Sequence, residues 1–485
     1  MICNRNKTLS KFIKFKFNKR LSHDAAPAPK SIEFMPRPKS LPLVGTKLDF
    51  IAAGGGSKLH EYVDIRHKQL GSIFCDKLGG SVDLVFVSDP ALIKTLFLNL
   101  EGKYPIHILP EPWELYEKLY GSKRGLFFMN GEEWLENRRV VNKYLLKENS
   151  EKLFDNPVKN TINQMIQKWT TEAKKGSYVP NLESEFYRLS IDVIISAMLG
   201  SSTFHKFSAH SDALLTAFAE EVKKIFQTTT KLYGWPVNMC QKLNLKVWRD
   251  FKNSVDISLF LANKIVAEMI NKKQPKDGLI NLLIEENLKP EIIKRIIVDF
   301  VIAAGDTTSY TTIWTLYLLS KNKDVRQELF KRNSIINYAI KESMRLYPVA
   351  PFLTRILPKE CIFGAYKLKG GTPIIVSIYT SGRDEQYFSR ATEYLPYRWD
   401  RNDERRKHLV NHVSSASLPF ALGARSCIGK KLAMLQMTEL ITQMVQNFDF
   451  ECINKDEVTS KTSQVLVPSQ EIKLSFSLRK PECAE

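Results

Sequence analysis

The stretch Phe420-Ala421-Leu422-Gly423-Ala424-Arg425-Ser426-Cys427-Ile428-Gly429 places one cysteine between two glycines, two residues after an arginine. From Gly429 onward Leu432, Leu435, Met437, Leu440, Ile441 and Met444 recur at spacings of three and four, which predicts a helix beginning just after the cysteine. A cysteine ahead of a helix N-terminus and near a guanidinium is expected to have a lowered thiol pKa and to present a thiolate. No second cysteine lies nearby to build a zinc site or an iron–sulfur cluster. A lone thiolate fits an axial ligand of haem iron. Gly423 and Gly429 would let the backbone approach a macrocycle, and Arg425 would face a haem propionate. The competing reading is a buried structural cysteine in a glycine-rich loop.

The full spacing Phe-x-x-Gly-x-Arg-x-Cys-x-Gly resembles the haem-thiolate loop of the cytochromes P-450. That resemblance implies a mainly α fold with a small β portion, a single domain enclosing iron protoporphyrin IX. It also implies that Phe420, Arg425 and Cys427 bind the cofactor, with Cys427 on the iron.

Upstream of the loop, Pro290 starts a predicted helix that runs to about Ser320, roughly 45 Å at about 1.5 Å per residue. Ile292, Ile293, Ile296, Ile297, Phe300, Val301 and Ile302 make it a core helix. Ala303-Ala304-Gly305-Asp306-Thr307-Thr308-Ser309 in its middle combines an acid, a helix-weakening glycine and three hydroxyls, costly in a buried helix unless partnered. Back-bonding hydroxyls would loosen the helix there and open a polar notch in an apolar wall. Ordinary threonines at packing positions are the plainer alternative. The segment is similar to the oxygen-activation motif of the same family, with Ala304 where glycine is usual and Gly305 following it. The resemblance implies that Thr307 steadies the reacting oxygen and Asp306 relays protons to it.

Trp134 and Arg138 stand one turn apart on a predicted helix, where the family holds a propionate. Glu342 and Arg345 stand three apart before Pro348, and Arg398 follows in Pro396-Tyr397-Arg398-Trp399. Their order matches the family's structural Glu–Arg–Arg triad. Arg355 matches its strand arginine, facing the other propionate. The connection from Lys331 to Tyr338 is shorter than usual, as if a helix were missing.

The chain has 485 residues, a net charge of +19 and seven cysteines, with no Cys-x-x-Cys pair. An odd, dispersed set of cysteines indicates a reducing compartment without a disulfide framework. Residues 1–23 carry Arg5, Lys7, Lys11, Lys14, Lys16, Lys19 and Arg20 with no acid, and Leu9, Phe12, Ile13 and Phe17 can share one face. This is the signature of a mitochondrial transit peptide, a disordered basic tail being the alternative. The remaining charge of +12 suits an acidic partner or an anionic membrane surface. No apolar run reaches about 18 residues. Basic residues interleaved with an aromatic stripe are absent, which argues against a nucleic-acid binder.

Residues 24–45 read as a proline-rich linker, leaving residues 46–485 as the monooxygenase domain. Leu59 to Leu70 reads as helix, Val82 to Val87 as strand, Ala91 to Leu98 as helix, and Tyr104 to Phe128 as a long aromatic loop. Residues 150–275 read as helical, broken near Tyr233, Trp235 and Pro236, where the chain either caps a substrate cavity or dips toward a membrane.

The transit-like start and Lys341, Lys430 and Lys431 point to the mitochondrial class, on the matrix side of the inner membrane. That class takes electrons from NADPH through a ferredoxin and its reductase. Leu346-Tyr347-Pro348-Val349-Ala350-Pro351-Phe352 and Tyr379-Thr380-Ser381-Gly382-Arg383-Asp384 resemble the insect ecdysteroid 2-hydroxylases of the family. The implied reaction takes 2-deoxyecdysone and O2 to ecdysone. Ile297, Val301, Ala304, Val349, Phe352 and Leu466 are expected to line the substrate cavity, with the Tyr104–Phe128 loop, a Val465–Val467 turn and the Thr354 hydroxyl. Composition would equally admit a bile-acid or vitamin-D-like skeleton. A haem-thiolate sensor would need the Cys loop without the acid–threonine pair.

Overall fold

The computed structural model describes residues 28–480 apart from residues 42–44, 79, 81, 149, 234 and 272–277. The expected transit peptide, residues 1–23, lies outside them. Among the described residues helices dominate, with four small sheets beside them. The long helix Pro290–Lys321 takes Pro290 in its first turn, where a missing N–H costs nothing. Helices Leu182–Leu199, Lys246–Asn271, Ile336–Leu346 and Lys430–Asn447 pack around it. The main core runs through these helices, including the wholly buried Trp169, Ile195, Ile297, Val301, Trp314 and Leu440.

Most expected elements fall where periodicity put them. The helix Leu59–Leu70 has the expected bounds. The strand is confined to Leu84–Val87, with Val82 exposed outside it. The helix Pro90–Thr95 is capped by Asp89, whose carboxylate accepts the Ala91 and Leu92 N–H groups at 2.8 Å. One four-stranded sheet runs in the order Ile73–Asp76, Leu84–Val87, Pro373–Ser377, Phe352–Ile356. Arg355 pairs in register with Ile374 there.

Three expectations change. The Tyr104–Phe128 stretch contains a helix, Glu111–Tyr120, with Pro112 and two acids in its first turn and Gly121 at φ +67 after its last. Those are start and stop signals of a helix, and the buried pair Trp113 and Tyr116 gives it an inner face. Second, Val465–Pro468 is a strand paired with Ser460–Ser463, and the turn is made by Gln464 at φ +61. Third, the expected linker packs onto the domain. Lys30–Ser31 pairs with Tyr366 and Lys367, Met35 is buried, and Pro36 O accepts the Cys75 N–H at 2.9 Å. The short 331–338 connection is one tight turn, Asn333–Ile335, leading directly into Ile336–Leu346. The five cysteines among the described residues are free thiols. No helix among those residues is long and apolar enough to cross a membrane.

Candidate functional site

From Ile296 to Ser320 the side chains of the long helix are buried except at Phe300, Ala303, Ala304 and Thr307. Those positions follow the i, i+3, i+4, i+7 rule, so one stripe in the middle of a buried helix borders an internal hollow. Ile297 and Val301, expected to line the cavity, are fully buried on the neighbouring flank, and so is Leu466. Leu466 is fixed there by its N–H to Val349 O at 2.8 Å. Ala304, Val349 and Phe352 keep open surface. Thr354 is committed elsewhere: its hydroxyl accepts the Ile108 N–H at 2.9 Å.

Thr307 Oγ1 donates to Ala303 O at 2.9 Å, and Thr311, Thr312 and Thr315 make the same bond one turn back. The expected back-bonding ladder is therefore present. Asp306 leaves the stripe. Its carboxyl borders a cavity of about 440 Å³ lined by Glu183, Tyr187, Lys223 and Tyr310 among others. Burial pushes Asp306 up to about 7, with Lys223 lowering and Glu183 raising it. Its Oδ2 has no hydrogen-bond partner among the described residues. The order Ala304-Gly305 has a packing reason, because a Cβ on Gly305 would meet the Tyr187 ring.

The Cys loop is open along its length: no residue from Ser417 to Lys431 is buried. Cys427 is exposed although protein surrounds it, so its sulfur faces inward space. Its N–H bonds Phe420 O at 2.9 Å, closing the turn that presents the sulfur. Burial pushes the thiol up, against the opposing pull of Gly429 N–H, Arg138 and Lys430. The expected lowering is thus outweighed by desolvation. Gly429 has open space where a Cβ would stand. Gly423, at φ +77, is required for another reason than expected: a Cβ there would strike Glu101 and Phe97 O.

The arginines converge on this loop. Arg138, on the helix Gly131–Leu145, donates to Ser426 O at 2.6 Å. Arg425 donates to Met129 O and to Asn130 Oδ1, and its guanidinium lies over the Trp134 ring at 4.4 Å. Trp134 therefore meets Arg425 rather than acting with Arg138. Arg355 Nε donates to Glu101 at 2.7 Å. Burial lowers Arg138 and Arg425 to about 10, and mutual repulsion with Arg355 and Arg138 adds to the shift of Arg425. Arg138 Nε, Arg355 Nη2 and Arg425 Nε have no acceptor among the described residues. Three guanidiniums with spare donors face one carboxylate, Glu101, and a haem would bring two more. The lone inward sulfur, the small-residue stripe and these donors fit that cofactor. Glu101 and His107, which bonds Arg425 at 3.4 Å, were not singled out by any sequence pattern.

Behind the loop, Glu342 is fully buried and accepts five N–H groups. They come from Arg345 (2.8 and 2.9 Å), Arg398 (2.8 Å), Leu395 (3.0 Å) and Trp399 (2.9 Å). Burial alone would raise this carboxyl, but Arg345, Arg398 and the Leu395 N–H hold it below its ordinary value. The expected triad thus forms, with Trp399 as an added donor. Lys341 and Lys430 are exposed and close enough to repel, which together with burial lowers Lys341. Lys431 is turned aside, its Nζ bonded to Lys147 O at 2.7 Å.

The family model described as Cytochrome P450 matches residues 35–476. The chain is similar to Cytochrome P450 315a1, mitochondrial, of Drosophila melanogaster, at 38% identity over 92% of this chain and 88% of that protein. It is also similar to the 1,25-dihydroxyvitamin D(3) 24-hydroxylase, mitochondrial, of Rattus norvegicus (26%, covering 93% and 90%). The cholesterol side-chain cleavage enzyme, mitochondrial, of Oncorhynchus mykiss is 25% identical, covering 87% and 86%. With the Cys427 loop, the arginine cluster and the notched helix in place, this chain belongs to the cytochrome P450 family of haem monooxygenases, in its mitochondrial class.

Proposed function

We propose that this monooxygenase hydroxylates an ecdysteroid at C2, taking 2-deoxyecdysone to ecdysone, on the matrix side of the inner mitochondrial membrane. The observation that carries the chemistry is the open stripe Phe300, Ala303, Ala304 and Thr307, directly followed around the helix by a carboxyl that titrates near 7. When bound, haem would supply the activation of O2, and Cys427 is the residue that would hold its iron.

The chain's own residues do the rest. Arg138, Arg355 and Arg425 would hold the propionates, the Trp134 ring backs the Arg425 guanidinium, and Phe420 closes the Cys turn through its carbonyl. The Thr307 hydroxyl rests on Ala303 O and can turn to donate into the hollow. Asp306, whose carboxyl burial pushes up to about 7, can accept a proton from the charged cavity and pass it on. Glu342, Arg345 and Arg398 hold the scaffold.

The substrate side is closed by the segment around Arg124, which is pinned to the long helix. Arg124 Nε and the Phe127 N–H both donate to the buried Asp299, at 3.0 and 3.3 Å. With Phe300, Ala304, Val349 and Phe352 the wall is apolar, which suits a rigid polycyclic body that loses little internal freedom on binding. The ecdysteroid choice rests on the resemblance of Leu346–Phe352 and Tyr379–Asp384, while relatives named for vitamin D and cholesterol support only the wider class of sterol-like substrates. Those same names support a second reading, hydroxylation of another sterol. A ferredoxin, reduced by NADPH through its reductase, would dock on Lys341 and Lys430, with Lys431 at the margin. Trp235, Met239 and Leu243, all exposed near the helix break, offer a peripheral membrane contact.

The deciding experiment is turnover of 2-deoxyecdysone with ferredoxin, its reductase and NADPH. Ecdysone is the expected product. A hydroxyl on the side chain, or oxidation of another sterol instead, refutes the C2 assignment and leaves the reaction class standing.

A further inference from the structure

We propose that Glu101 is a positioning residue of the haem site: it latches the Cys loop to Arg355 and is the counter-charge that matches the arginine cluster to two propionates. Glu101 follows the last turn of Leu96–Leu100 and is buried. Its Oε2 accepts Arg355 Nε at 2.7 Å, and its Oε1 accepts the Ala424 N–H at 2.9 Å. One carboxylate therefore ties the strand Phe352–Ile356 to the loop three residues before Cys427. The neighbour of that amide is shaped for it, since a Cβ on Gly423 would lie 2.3 Å from Glu101 Oε1 and 2.6 Å from Phe97 O. A buried carboxylate is expensive unless charged partners and N–H donors surround it, so this one is held by design of the packing.

The charge count gives the second half. Arg138, Arg355 and Arg425 bring three positive charges within one field, and Glu101 is the acid that acts on both Arg355 and Arg425. His107 adds none, because burial, Arg425 and Arg355 lower it to about 3. Three guanidiniums against one carboxylate leave two positive charges, the number a pair of propionates carries. Without Glu101 the site would hold one uncompensated positive charge next to the haem, in surroundings that screen it weakly.

The test uses the haem-loaded protein and two readouts that need no substrate: the ferric/ferrous reduction potential, and the rate of haem transfer to apomyoglobin. Glu101→Gln should raise the potential, because losing a negative charge favours the more negative ferrous state, and should speed haem loss about tenfold. Glu101→Asp keeps the charge but is too short to reach both partners, so it should speed haem loss with the potential little changed. Glu101→Gln combined with Arg355→Gln removes one charge of each sign and should return the potential toward wild type. Unchanged potential and haem transfer in Glu101→Gln overturn the proposal, and an equal rise of potential in Glu101→Asp overturns its charge half. Should Glu101→Gln take up no haem, Glu101→Asp decides, since wild-type haem transfer in that variant removes the latch. Failure here would leave the ecdysteroid reading untouched.

Discussion

Gly305 and Tyr187 are fitted to one another: a Cβ on Gly305 would stand 2.5 Å from Tyr187 Cζ and 2.8 Å from its hydroxyl. Tyr187 comes from Leu182–Leu199, the helix that crosses the long helix most extensively, so the missing side chain sets how closely the two approach. The glycine thus stands at the one position of Ala303-Ala304-Gly305 where this ring leaves no room for a side chain.

Gly305→Ala should therefore destabilise the fold by about 1–3 kcal/mol through overpacking. Ala304→Gly, on the open stripe, should cost about 1 kcal/mol, the ordinary helix penalty. Thermal midpoints of the two haem-loaded variants check this, and equal losses would contradict it. Tyr187→Ala placed on Gly305→Ala should recover part of the alanine's cost.

Asp306 carries a pH signature. Burial holds its carboxyl at about 7 against an ordinary 3.8, so the folded state keeps a proton that the unfolded chain gives up. The stability this provides is fully present below pH 3.8 and is lost as pH rises through about 7. Asp306→Asn lacks the effect. The variant's thermal midpoint should gain on wild type between about pH 4 and roughly 7 and then run parallel to it. Parallel curves throughout would mean that the carboxyl titrates normally.

Thr307→Ala removes the hydroxyl on the open stripe while leaving the core side chains in place. Haem content and substrate-induced spectral change should stay as in wild type. Product formed per NADPH consumed should fall several-fold, roughly tenfold or more if the hydroxyl handles the proton. Hydrogen peroxide should account for the missing electrons, and an unchanged ratio would exclude Thr307 from the chemistry.

Glu342→Gln leaves Arg345 and Arg398 buried without their carboxylate. Breaking one partner of a buried ion pair costs about 3–5 kcal/mol, enough to prevent folding of an ordinary domain. The expected result is little soluble, haem-retaining protein. Wild-type yield would mean that the arginines' carbonyl partners, such as Gly382 O at 2.6 Å from Arg345, are sufficient.

The three surface lysines should separate. Lys341→Glu and Lys430→Glu should weaken ferredoxin binding and reduce its salt dependence, because exposed charges steer such encounters. Lys431→Glu should have the smaller effect on binding, its ammonium being bonded to Lys147 O. Titrations of ferredoxin at two ionic strengths check the order, and an equal effect at all three positions would place Lys431 in the interface.

The sequence alone determined the elements whose causes are local. The Cys loop, the long helix from Pro290 and the helix Leu59–Leu70 follow from spacing, and each stands where it was read. The Glu342–Arg345 spacing likewise fixed one helix face, and Arg398 completed it. What the tertiary structure decided depends on which surfaces meet. Apolar periodicity said that the long helix is buried, but not that Phe300, Ala303, Ala304 and Thr307 stay open while Ile297 and Val301 are sealed. The thiol of Cys427 has helix and arginine neighbours that favour its charge, and only the depth of burial shows that desolvation prevails. Glu101 has no periodic signal at all. Its partners Arg355 and Ala424 lie 254 and 323 residues away, and a contact of that range is written in the packing of the whole chain.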